Sequence, residues 1–113
     1  MHELSLCESI YKIAARAAAG REVREIGLDI GQLRQVVPDT LVFCWNTTTR
    51  RTLLAGSRLA VTYIPGVLEC RECGSRTELN DELIYHCAAC GSAKVEVIQG
   101  NEFTLTYIDV KED

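Results

Sequence analysis

Two groups of residues in this chain have the types and spacing for metal chemistry. The first is Cys70-Arg71-Glu72-Cys73-Gly74 with Cys87-Ala88-Ala89-Cys90-Gly91, two Cys-x-x-Cys-Gly turns separated by a short loop. Each turn presents two sulfurs, and the glycine after the second cysteine can take the left-handed conformation that points backbone N–H groups at them. Four thiolates from Cys70, Cys73, Cys87 and Cys90 fill a tetrahedral zinc shell, so the expected metal is Zn(II) in a structural role with no open position for substrate. A thiol–disulfide role is the weaker alternative, because a redox Cys-x-x-Cys usually occurs once and at a helix start. His86 adjoins Cys87 and could compete as a ligand, but beside four thiolates it reads more readily as a neighbour or a substitute than as part of the shell. The second group is Met1-His2-Glu3. The terminal amine, the His2 amide and the His2 imidazole can close fused chelate rings around one ion, and an all-nitrogen, near-planar set suits Ni(II) or Cu(II). The Glu3 amide or carboxylate can complete the set. The amine and the imidazole shed protons near neutrality, so such a site is pH-dependent. Taken without context, a Met-His start carries little weight.

The rest of the chain offers little other chemistry. There are two histidines, no Gly-rich phosphate loop and no Gly-x-Ser-x-Gly, so an enzyme is not expected. Net charge is −4, and around the cysteine turns Arg71, Arg76 and Lys94 are outnumbered by Glu69, Glu72, Glu78, Asp81, Glu82 and Glu96. That argues against nucleic acid as a partner. No basic n-region opens the chain, and no run nears the ~18 apolar residues of a membrane span. The expected compartment is the cytoplasm, where paired cysteines favour metal over disulfide. Cys7 and Cys44 lie in helical patterns and read as small buried hydrophobes.

The elements that must position these groups follow from periodicity. Residues 4–19 read as a helix with Leu6, Ile10, Ile13 and Ala17 on its inner stripe, widened by Cys7, Tyr11 and Ala14, and with Gly20 as the stop. Residues 23–31 alternate as a half-buried strand, with Ile26, Leu28 and Ile30 inward. A turn through Gln32 to Val37 leads to a helix opened by Pro38-Asp39 and running to about Arg50, anchored by Leu41, Cys44 and the single tryptophan, Trp45. Residues 59–64 and 103–110 are two further strands. Pro65-Gly66 and Gln99-Gly100-Asn101 read as hinges flanking the cysteine region. The fold class expected is α+β: two helices packed on a small, mainly antiparallel three-stranded sheet, with an inserted zinc-ribbon-like domain built on the four cysteines. The domains expected are a core of 1–65 with 100–113 and an insert of 66–99.

These features together resemble the HypA/HybF family of nickel metallochaperones over nearly the whole length. The resemblance rests on Met1-His2-Glu3-Leu4-Ser5-Leu6-Cys7, Leu28-Asp29-Ile30-Gly31-Gln32-Leu33, Val37-Pro38 through Phe43, Arg51-Thr52-Leu53 with Gly56, the two cysteine turns, Gly100-Asn101-Glu102-Phe103 and Ile108-Asp109-Val110. It implies Ni(II) held at the N-terminus, with His2 as the essential side-chain ligand and Met1 and Glu3 as co-ligands, and zinc on the four cysteines. It further implies delivery of nickel for NiFe-hydrogenase maturation, in some members also to urease. The implied partners are a HypB-type GTPase, the hydrogenase large subunit and urease maturation proteins, with the chain a monomer or homodimer. Two positions depart from the family pattern. The second turn is Cys-Ala-Ala-Cys where a proline after the first cysteine is common, and position 51 is arginine where many relatives carry glycine. The competing reading is a zinc-ribbon protein- or nucleic-acid-binding module with no nickel role.

Overall fold

The computed structural model describes residues 2–80 and 82–112. In chain order the elements are α1 (His2–Ala18), β1 (Val23–Gly31), a 3-10 turn (Gln32–Arg34), α2 (Pro38–Thr48), β2 (Arg58–Ile64), β3 (Val67–Cys70), β4 (Arg76–Glu78), β5 (Val95–Gln99) and β6 (Phe103–Val110). They group into two compact units: Met1–Asp29, Val36–Thr62 and Thr104–Asp113 form one, and Ile30–Gln35 with Tyr63–Phe103 the other.

In the first unit α1 packs against α2. Its acidic Glu3 in the first turn and basic Arg16 in the last suit the helix dipole. The buried stripe is Glu3, Cys7, Ile10, Ala14 and Ala18, with Leu6, Tyr11 and Ala15 at its edges. This corrects the expected stripe, since Ile13 is 53% exposed and Ala17 is exposed too. Small side chains at 7, 14 and 18 give a smooth face on which α2 can sit closely, and that outweighs the larger apolar payload of Ile13.

Helix α2 starts at Pro38, whose missing N–H costs nothing there. Leu41 and Trp45 are its buried anchors, and Cys44 is half-buried. The Trp45 indole Nε1 donates to Ser57 Oγ at 2.9 Å, so its one polar atom is satisfied inside the core.

The first sheet has the order β2-β1-β6. Gly31 N donates to Glu102 O and Lys111 N donates to Glu22 O, which makes β1 and β6 antiparallel. Ile26, Leu28 and Ile30 are buried on one face, as alternation predicts. Gly27, on the other face, lies under the Tyr107 ring, where a Cβ would come within 2.2 Å of ring carbons. The Tyr107 hydroxyl donates to Glu25 at 2.6 Å and Arg58 Nε donates to it at 2.8 Å. Those two bonds, Tyr107 first, hold the Glu25 carboxyl below its ordinary range.

The second unit contains a second sheet, order β4-β3-β5, antiparallel throughout, with Leu68 opposite Thr77 and Cys70 opposite Val95. Sequence periodicity does not reveal these strands, because they are three to five residues long and mix charged with apolar positions. Leu68 and Leu79, with Ile30 from the end of β1, are the buried aliphatic side chains of this unit among the described residues. At its base the expected hinges lie side by side: Gln99 Nε2 donates to Pro65 O at 2.9 Å. A Cβ on Gly31 would fall 2.0 Å from Gly100 O, and one on Gly100 would fall 2.4 Å from Gly66 Cα. Backbone cannot step aside as a side-chain tip can. Gly31→Ala is therefore expected to cost about 3 kcal/mol of stability through overpacking. Chemical denaturation checks this, and a wild-type midpoint would refute the close approach.

Candidate metal centre

The two cysteine turns fold alike because their sequences repeat as Cys-x-x-Cys-Gly-Ser. In the first, Gly74 N donates to Cys70 O at 3.0 Å and Cys70 N donates to Ser75 O at 2.9 Å; in the second, Gly91 N donates to Cys87 O at 2.8 Å and Cys87 N donates to Ser92 O at 2.9 Å. Gly74 and Gly91 both take the left-handed conformation, at φ 78° and 77°, as the turns require. Glu72 N and Cys73 N point at Cys70 Sγ, and Cys90 N points at Cys87 Sγ, each at 3.4 Å.

The four sulfurs all lie within 4.8 Å of one another. Cys70 and Cys90 are 3.6 Å apart, as are Cys73 and Cys87. A regular tetrahedron with Zn–S bonds of ~2.3 Å has edges of ~3.8 Å, close to the two 3.6 Å pairs, so small side-chain adjustments bring all four sulfurs onto one zinc ion. The proton chemistry agrees. The Ser75 hydroxyl and amide pull the Cys73 thiol down to about 6. Cys90 is pushed up to about 12: its Ser92 amide favours the thiolate, but the Cys70 sulfur, desolvation and the other two sulfurs hold the proton on it. Four thiolates cannot share so small a volume unless a cation balances them. His86 is exposed and stands outside this cluster, as expected.

The structure does not bring the other predicted ligands to this centre. Met1 and the His2 side chain lie outside the described residues. Glu3 is 5% exposed, and its Oε2 accepts a hydrogen bond from Val37 N at 3.3 Å, which fastens the first turn of α1 to the residue before α2. An acid in a helix's first turn was the available signal for such an anchor. Cys7 is fully buried and its Sγ contacts Leu41 O at 3.6 Å. Burial first, then the neighbouring Cys44 and Glu3, pushes the Cys7 thiol up to about 11. It is therefore neutral at pH 8, and native protein is expected to leave Cys7 unmodified by iodoacetamide while denatured protein does not. Mass spectrometry reads this directly, and fast native labelling of Cys7 would refute its burial.

One structural residue escaped sequence reasoning. Gln32 Nε2 donates to Asn80 O at 3.0 Å and Leu79 O at 3.4 Å, while its Oε1 accepts from Gly66 N at 2.7 Å. It bridges the loop after β4 to the start of β3, and nothing in an isolated glutamine announces such a role.

The fold and the centre define a small α+β protein carrying a closed four-thiol zinc clip. Residues 1–110 match the family described as "Hydrogenase/urease nickel incorporation, metallochaperone, hypA". The chain is 38% identical to the hydrogenase maturation factor HypA of Geobacter metallireducens, covering 98% of this chain and 100% of that one. It is 37% identical to the corresponding factor of Nostoc sp., covering 99% and 97%. The fold matches the solution structure of the Ni metallochaperone HypA from Helicobacter pylori with a TM-score of 0.67 at 22% identity, each chain covered in full. This protein belongs to the HypA family of hydrogenase/urease nickel-incorporation metallochaperones. The resemblance read from the residues is thereby borne out, as is the α+β class, with nickel the cargo of the family and zinc the metal that the thiol cluster suits.

Proposed function

We propose that the chain binds Ni(II) through the Met1 amine, the His2 amide and imidazole and a Glu3 backbone nitrogen, and hands it on for NiFe-hydrogenase maturation, with urease as a second destination. Cys70, Cys73, Cys87 and Cys90 hold structural zinc. On this reading residues 1–65 and 100–113 carry the nickel function and 66–99 the zinc. The observation that carries it is the family match from residue 1 to 110, with Met-His-Glu leading into α1. Helix geometry supports it as well. An α-helix provides no acceptor of its own for its first four N–H groups, so a chelate built from the first amides takes nothing from the ladder.

A delivery site must bind selectively and still let go. Ligands drawn from one chain end need no buried cage, so a docked partner can peel them apart. Protonation of the amine and the imidazole acts in the same direction. The protein then acts as a carrier and not as an enzyme, in the cytoplasm, beside a HypB-type GTPase and the hydrogenase large subunit. The test is transfer: nickel-loaded protein incubated with metal-free hydrogenase large subunit and the GTPase should restore hydrogenase activity. No gain over an equal amount of free nickel would reject the reading.

A further inference from the structure

The cationic side chains of this protein are distributed unevenly. Arg24, Arg58, Arg71, Arg76, Lys94 and Lys111 are each paired with a carboxylate. Arg21 and Arg34 donate to backbone carbonyls. Among the described residues, Lys12, Arg16, Arg50 and Arg51 do neither. All four belong to the first unit, two on the last two turns of α1 and two directly after α2.

Arg51 and Arg21 line one open cleft of about 560 Å³, together with Tyr11, Ala15, Leu53 and Leu54. Leu54 is buried and forms an apolar floor, while Leu53 is 49% exposed at the rim. Cations near helix C-termini often serve only the dipole. Arg21 does so, donating to Ala18 O at 2.7 Å and Ala17 O at 3.3 Å. Arg51 does not: it caps no carbonyl, is exposed, and is held at φ 66°, a conformation glycine takes freely and other residues take at a cost. An arginine at a strained position, on the edge of an apolar cleft, with no ion-pair or carbonyl partner among the described residues, points to a partner outside the chain.

We propose that this cleft docks an acidic segment of a partner protein. One apolar side chain of the segment rests on Leu54, and the carboxylates flanking it meet Arg21 and Arg51, the two cations that line the cleft. Charge selects this occupant over a long polyanion. The cationic rim is local, Glu8 stands one turn before Lys12 on α1, Glu22 adjoins Arg21, and the whole chain carries −4. The cleft lies about 20 Å along the helix axis from His2. The docking surface is thus separate from the proposed nickel ligands and does not depend on them.

The test uses full-length, zinc-loaded protein and a fluorescein-labelled Glu-Leu-Glu-Glu-Leu-Glu peptide, read by fluorescence anisotropy at low salt. Saturable binding is expected, weakened at least about fivefold by R51G and by about 0.5 M NaCl, and kept within about twofold by R51K. Because R51G relieves the backbone, its melting temperature should equal or exceed that of the wild type, so lost binding will not reflect unfolding. Amide shifts on titration should centre on Tyr11, Ala15 and Leu53. Absent saturation, undiminished binding by R51G, or shifts confined to the second unit would overturn the proposal. Tighter binding of a single-stranded oligonucleotide of matched charge would overturn it in favour of nucleic acid.

Discussion

His2→Ala is expected to abolish tight nickel binding while zinc content and fold stay unchanged. Removing groups that merely orient a ligand costs ~10–100-fold in affinity, so removing the only side-chain nitrogen of a short chelate should cost more than ~100-fold. The fold has no reason to respond. The buried stripe of α1 continues through Glu3, Cys7, Ile10, Ala14 and Ala18, all untouched, and the thiol cluster belongs to the other unit. Calorimetric titration of untagged protein measures the effect, with zinc quantified alongside. A residue added before Met1 should weaken binding as well, because it converts the amine into an amide. The pH dependence has a definite sign. The unperturbed amine titrates near ~8 and the imidazole near ~6.5, and only the deprotonated forms bind, so affinity should fall by at least about tenfold as pH drops from ~8 to ~6. Nickel affinity unchanged in His2→Ala would remove the N-terminal site from consideration.

Cys73→Ala should unfold the second unit locally while the first stays folded. Cys73 is exposed, whereas Cys70 and Cys87 are buried, so this substitution removes a ligand without leaving a cavity. What is lost is then the metal's own contribution, on the order of 10 kcal/mol in small zinc modules. The unit has little to replace it with. Its buried aliphatic side chains Ile30, Leu68 and Leu79 are worth about 2–3 kcal/mol each, and the strands of the second sheet are no longer than five residues. Zinc stoichiometry should fall well below one, and amides between Val67 and Gln99 should lose exchange protection, while Ile26, Leu28 and Trp45 keep theirs. Full zinc retention with unchanged melting would overturn the assignment of Cys73 as a ligand.

Two features bind these expectations to the fold. The thiol centre sits on a sheet too small to be stable by burial alone, so its integrity reports the metal. Glu3, by contrast, accepts a hydrogen bond from the backbone N–H of Val37, which ties the first turn of α1 to the residue before α2. The proposed acidic-segment cleft adds a third region, at the opposite end of α1 from that turn, with its own cations and its own apolar floor.

By itself the sequence determined whatever depends on residues close together along the chain. The repeated Cys-x-x-Cys-Gly-Ser announced two like turns, and the structure brings their four sulfurs together within 4.8 Å of one another. Alternation in 23–31 placed Ile26, Leu28 and Ile30 inward, and Pro38-Asp39 marked the start of α2. Local chemistry decides such features, so local sequence reports them. Only the tertiary structure decided the rest. The inner face of α1 turned away from Ile13 towards the small residues Cys7, Ala14 and Ala18, because helix packing rewards close approach and not hydrophobicity alone. Gly31, Gly66 and Gly100, far apart in sequence, proved to be one point of backbone contact, and Gln32 became a bridge to Gly66, Leu79 and Asn80. The three short strands of the second sheet exist because each is completed by its neighbours and by the metal turns between them, and pairing of that kind leaves no periodic trace in any one segment.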